Sequence, residues 1–96
     1  MKKMKLKPDN LSAAKGNSRG EINLQWDSVE SAVSYVIEFS RTIQTRDQKW
    51  RILDIISDPH YTVRNLISNK DYLFRIISVD KNGRTEPSSG ILKKAP

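Results

Sequence analysis

Seven short runs of this chain alternate apolar with polar residues, and turn-forming residues separate them about every ten to thirteen positions. A period of two is the signature of a strand with one buried face. The cleanest case is Glu21-Ile22-Asn23-Leu24-Gln25-Trp26-Asp27, which puts Ile22, Leu24 and Trp26 on one side. Ser34 to Ser40 places Tyr35, Ile37 and Phe39 inward, with Val33 and Val36 on the outer face. Lys49 to Ile55 sets Trp50 and Ile52 opposite Arg51 and Leu53, and His60 to Leu66 offers Tyr61 and Val63. The richest run, Asp71 to Asp80, directs Tyr72, Phe74, Ile76 and Ser78 inward and Leu73, Arg75, Ile77 and Val79 outward. Ile91 and Leu92 suit a closing edge strand, and a weak opening strand is expected around Asn10 to Lys15. No stretch of ten to twelve residues carries a helical period, so the pattern predicts an all-β sandwich or barrel.

The separators have turn chemistry. Residues 15–20, 27–31 and 42–47 read as polar loops, and Asp58-Pro59 breaks the chain sharply. Asp80-Lys81-Asn82-Gly83-Arg84 carries the strongest hairpin signal, with Asn-Gly expected to take positive φ at both central positions. Pro8 and Pro87 stand where edge strands begin, which suits residues without an amide donor.

A chain of 96 residues holds one small domain. Without cysteine it has no disulfide, thiolate metal site or cysteine nucleophile, and packing alone must hold it. The formal net charge is +6, but Lys2, Lys3, Lys5, Lys7, Lys93 and Lys94 lie at the two ends; without them 11 basic residues face 11 acidic ones. A neutral body between basic tails is therefore expected, with residues 1–7 and 93–96 as tails. No apolar run is long enough to span a membrane, and the basic start lacks the apolar segment of a signal peptide.

From about Pro8 to Leu92 the chain resembles a fibronectin type III domain. Pro8-Asp9-Asn10-Leu11 is similar to the family's opening, and Gly20 to Trp26 resembles its second strand with the core tryptophan. Residues 32–40 resemble its third strand with the core Tyr35. Leu66, six positions before Tyr72, then Phe74 to Val79, Gly83 and Glu86-Pro87-Ser88 are similar to the family's defining stretch. The resemblance implies a seven-stranded antiparallel immunoglobulin-like β-sandwich over residues 8–92, with Trp26, Tyr35, Leu66 and Tyr72 as structural core. Two departures stand out. Ser68-Asn69 replaces the family's Pro-Gly, where Asn69 can still turn left-handed. Ser78 replaces an alanine and needs a partner.

Catalytic chemistry finds no foothold. His60 is the single histidine and has no second imidazole for a metal site or triad. Asp54 and Asp58 lie in a strand-to-turn segment and read as solubilising charges, and no phosphate-binding glycine loop or nucleophile elbow occurs. No cofactor and no metal are expected. Asn10-Leu11-Ser12 is formally a glycosylation sequon, and Asn82-Gly83 is a deamidation-prone pair.

The resemblance implies a non-catalytic module that binds protein or spaces neighbouring domains, extracellular or at a cell surface, and monomeric. The expected contact loop is Asp80, Lys81, Asn82, Gly83 and Arg84, with the loop from Asp27 to Ser31 at the same end. The partner is a protein or a neighbouring domain of the same chain, with no specific nucleic acid. The alternative is a weak binder of anionic surfaces or nucleic acid through the lysine-rich termini.

Overall fold

A computed structural model describes residues 7–41 and 49–96. Eight strands follow in order: β1 (Ser12–Lys15), β2 (Ile22–Gln25), β3 (Ser34–Ser40), β4 (Arg51–Ile56), β5 (His60–Val63), β6 (Asp71–Asp80), β7 (Gly83–Arg84) and β8 (Ile91–Lys94). No helix occurs among the described residues. Two antiparallel sheets form: β1-β2-β5, and β4-β3-β6-β7 with β8 also on β6. The expected strands over 34–40 and 71–80 keep those limits; the runs over 10–15, 21–27 and 60–66 shorten, the run over 49–55 becomes Arg51–Ile56, and the closing strand extends from Ile91 and Leu92 to Lys94.

The expected faces explain the layers. Ile22, Leu24 and Trp26 of the first sheet meet Tyr35, Ile37, Tyr72, Phe74 and Ile76 of the second, all buried, with Val63 and Ala95. Trp26 and Tyr35 touch edge to face, ring centres 5.4 Å apart. Tyr72 lies between Phe74 and Phe39, 6.3 Å from each. Aromatic pairs in these arrangements add to the gain from burial alone.

Loop hydroxyls and amides complete the frame. Tyr72 Oη accepts the Ile67 amide at 2.9 Å, and Tyr35 Oη accepts the Val29 amide at 2.8 Å. Asn69 turns left-handed, φ 69°, as expected. Ser78 Oγ meets Thr85 Oγ1 at 2.8 Å, the partner its buried hydroxyl requires. Ser88 holds the segment between β7 and β8 to β6: its amide donates to Ile76 O, and its Oγ accepts the Ile76 amide. Pro87, which has no amide to give, falls in that break in the closing strand.

Three expectations change. Val36 and Ile77 do face away from the core, but they are 1% and 5% exposed. They stand side by side in register, with Ile55 of β4 flanking Val36, so the outer face buries its own centre. Val33, 65% exposed, remains open. Residues 93–96 are not a tail: Lys93 and Lys94 belong to β8, Ala95 is buried, and Pro96 O accepts the Gly20 amide. The small Ala95 side chain closes the end of the core, and its amide donates to Lys70 O. In the hairpin only Gly83 has positive φ, 115°, and Asn82 does not. Asp80 Oδ1 accepts the Asn82 amide at 2.7 Å, so a side-chain-capped turn over Lys81-Asn82 replaces the two-residue mirror turn. The expected tail over residues 1–6 and the polar loop over 42–47 lie outside the described residues.

β4 is an outermost strand, paired on one side by β3, and the register shifts between Ile37 and Glu38. Within it the Ile55 amide donates to Asp54 Oδ1 at 2.8 Å.

Candidate functional site

Two surfaces merit description, the loop end around the hairpin and the outer face of the larger sheet. At the loop end the Val33 amide donates to Val79 O, which brings residues 27–33 beside residues 79–84. Asp27 receives Asn10 Nδ2 at 2.6 Å and gives its amide to Asp9 O, so the start of the fold joins the same end. The hairpin tip is stiffly held: Asp80 caps the turn, Asp80 pairs with Gly83, and the Thr85 amide donates to Ser78 O. Lys81, Asn82 and Arg84 are exposed on this frame. The loop therefore carries two cations and an amide on a hydrogen-bonded turn.

The outer face carries a stack that sequence reasoning did not assemble. Arg75 Nε donates to Glu38 Oε1 at 2.6 Å, and its guanidinium lies 4.1 Å from the centre of the Trp50 ring. Glu38 is itself buried. Glu38 and Arg75 face each other in register on β3 and β6, with Ile52 on the other side of Glu38. Trp50 therefore lies on the outer face, half-buried against a cation. The missing signal was the register between strands: alternation shows which face a residue takes, not which residue stands opposite.

Elsewhere, Tyr61 has its phenol raised above the usual tyrosine value, first by burial and then by its hydrogen bond and charge repulsion with Asp54. This contact links β5 of one sheet to β4 of the other. Among the described residues no group of three His, Cys, Asp or Glu side chains could hold a metal. No helix there is long and apolar enough to cross a membrane. Of the terminal lysines, Lys94 is paired with Asp71 at 3.6 Å and reaches Asn69 O. Lys93 and Lys94 thus belong to strand β8 and not to a tail, while Lys2, Lys3 and Lys5 lie outside the described residues.

The arrangement of two sheets, buried Trp26 and Tyr35, and the Tyr72 hydroxyl returned to Ile67 matches a known sequence family. The profile of the fibronectin type III domain fits residues 6–93. The chain belongs to the fibronectin type III family. It is 27% identical over 93 residues to the cell adhesion molecule Dscam2 of Drosophila melanogaster, covering 91% of this chain but 4% of that protein. Among solved structures, the Fn3-like protein from Clostridium thermocellum superposes with TM-score 0.82 at 22% identity, covering 95% of this chain and 93% of that one. A fibronectin type III domain of human fibronectin type III domain containing protein 3 gives 0.74 at 23% identity, covering 98% and 88%. At such identities these two likenesses concern the fold.

Proposed function

We propose that this fibronectin type III domain is a non-catalytic module of a longer extracellular or cell-surface protein, binding protein through the hairpin end and spacing its neighbours. The observation that carries the reading is the hairpin itself: a tip with Lys81 and Arg84, braced by Asp80 and by the Ser78–Thr85 hydroxyl pair. A braced loop binds without first losing its own disorder, which is how a small surface gains affinity. The likeness to an adhesion molecule of far greater length supports a place within a multidomain chain. Function still resides in sites and not in the fold, so the loop must be tested directly.

The test compares capture of partners from extracellular and membrane fractions by the wild-type chain and by a Lys81→Ala, Asn82→Ala, Arg84→Ala variant. Selective loss of a captured protein supports the reading. Equal capture by both chains removes the hairpin from it.

A further inference from the structure

Asn82 is the one asparagine of the sequence followed by glycine. After every other asparagine stands a Leu, Ser or Lys, whose side chain crowds the amide nitrogen that joins the pair. Glycine has no side chain to do this. At Gly83 nothing would lie within 4 Å of an added Cβ, so that flank of the peptide is open. Asn82 itself is exposed, at the tip of the hairpin between β6 and β7. An unshielded amide nitrogen next to an asparagine can attack the side-chain carbonyl and close a five-membered ring.

The turn itself opposes that closure. The Asn82 amide donates to Asp80 Oδ1 at 2.7 Å, and Gly83 pairs with Asp80 in the ladder. These contacts hold the peptide planes on both sides of Asn82, and ring closure must turn the second plane out of its place. The opening this needs is local. β7 has two residues, and below it the Thr85 amide still donates to Ser78 O while the Ser78 and Thr85 hydroxyls still meet. No buried apolar side chain moves, so the tip opens at far less cost than the sandwich.

We propose that Asn82 is a self-modification site, converted to aspartate and isoaspartate at a rate set by the Asp80 brace, and that the isoaspartate form unlatches the hairpin. The Gly83 nitrogen gives its proton to solvent and attacks Asn82 Cγ. The new N–Cγ bond displaces Nδ2, which takes a proton from water and leaves as ammonia, and a succinimide remains. Water then adds to either ring carbonyl. Addition at Cγ breaks the new bond and yields aspartate on the original backbone. Addition at the backbone carbonyl carbon of residue 82 breaks the original peptide bond, and the chain then runs through Cβ and Cγ as isoaspartate. Each product adds a carboxylate to a loop in which Asp80 faces Lys81 and Arg84, so its charge falls from +1 to zero. Isoaspartate also lengthens the chain between Asp80 and Gly83 by one methylene. A turn that joins this pair through Lys81 and Asn82 alone cannot absorb it. Lys81 and Arg84 then no longer share a braced turn. That consequence for binding rests on the function proposed above; the chemistry does not.

The experiment ages the full chain in neutral and mildly alkaline buffer, beside Asp80→Ala and Asp80→Asn chains and an Asn82→Gln control whose longer side chain closes no five-membered ring. Peptide mass mapping follows position 82, an isoaspartate-specific methyltransferase separates the two products, and amide NMR follows the fold. The wild type is expected to gain the mass of an amide turned acid at position 82, faster at higher pH because the attacking nitrogen must lose its proton. Asp80→Ala should age about tenfold faster, the factor that loss of one hydrogen bond to a charged group allows. Asp80→Asn keeps an oxygen for the Asn82 amide and should age near the wild-type rate. In the isoaspartate fraction the amide shifts should move over residues 79–85 and stay in place in β2 and β3. Three results overturn the proposal: a folded wild type that stays unmodified while the same chain in urea converts, an Asp80→Ala chain no faster than wild type, or an isoaspartate fraction with unmoved hairpin shifts. No partner enters these measurements, so their failure leaves the hairpin to its own capture test.

Discussion

The amide of Ile67 donates to the phenolic oxygen of Tyr72 at 2.9 Å, across the bend that leads from β5 into β6. The Tyr72 ring is buried, so its hydroxyl has the loop amide in place of water. Tyr72→Phe leaves the ring packing intact and strands the Ile67 amide. A loss of about 1–3 kcal/mol is expected. Chemical denaturation checks it: the midpoint falls while the slope is unchanged.

A second prediction concerns Trp26, whose indole Nε1 is buried with no hydrogen-bond partner among the described residues. Trp26→Phe removes an unsatisfied donor along with ring volume, so the two effects oppose each other. Trp26→Ala removes the same donor but the whole ring with it, and should cost about 3–5 kcal/mol. The phenylalanine variant is expected to show less than half of that loss, measured by thermal or denaturant unfolding.

The outer-face stack predicts a measurable coupling. Arg75 touches both the Glu38 carboxylate and the Trp50 ring. A double-mutant cycle of Trp50→Leu with Arg75→Met should give a coupling of about 0.5–1 kcal/mol. A coupling near zero would mean that the guanidinium gains nothing from the ring beyond what Glu38 already supplies.

Two glycines should differ sharply. Gly20 has φ 78°, and a Cβ there would lie 2.6 Å from Leu66 O, a backbone atom. Gly83 also has positive φ, 115°, but a Cβ would meet nothing within 4 Å. Gly83→Ala should cost about 1–2 kcal/mol from backbone strain alone. Gly20→Ala should cost more, because the Leu66–Gly20–Pro96 connections must shift as well. Paired unfolding curves test the ranking.

Tyr61 makes stability depend on alkaline pH. Its folded pKa is raised, so below the ordinary tyrosine value the phenol is protonated whether the chain is folded or not, and contributes no pH dependence. Above about 10 the unfolded chain releases the proton while the folded one still holds it, so stability falls as pH rises. Tyr61→Phe should flatten that part of the fall. Unfolding midpoints collected across the alkaline range, beside the phenolate absorbance titration, reveal it.

Much of this architecture is legible in the sequence. Ile22, Leu24 and Trp26 follow from alternation alone, and the resemblance implies the burial of Tyr72. What escaped was everything that depends on strand neighbours. Val36 was assigned to the correct face, but its burial follows from Ile77 and Ile55 standing beside it, which no local pattern encodes. The Glu38–Arg75–Trp50 stack was hidden for the same reason. The turn at Lys81-Asn82 departed from its dipeptide preference because the Asp80 carboxylate competed for the Asn82 amide.

The outer strand β4 has a consequence for association. An unguarded sheet border invites any extended segment to pair with it. Here the register slip opposite Ile37 and Glu38 distorts the border, and the Asp54 carboxylate occupies the Ile55 amide. A bent border with an amide already engaged disfavours strand-on-strand growth from this side of the sheet.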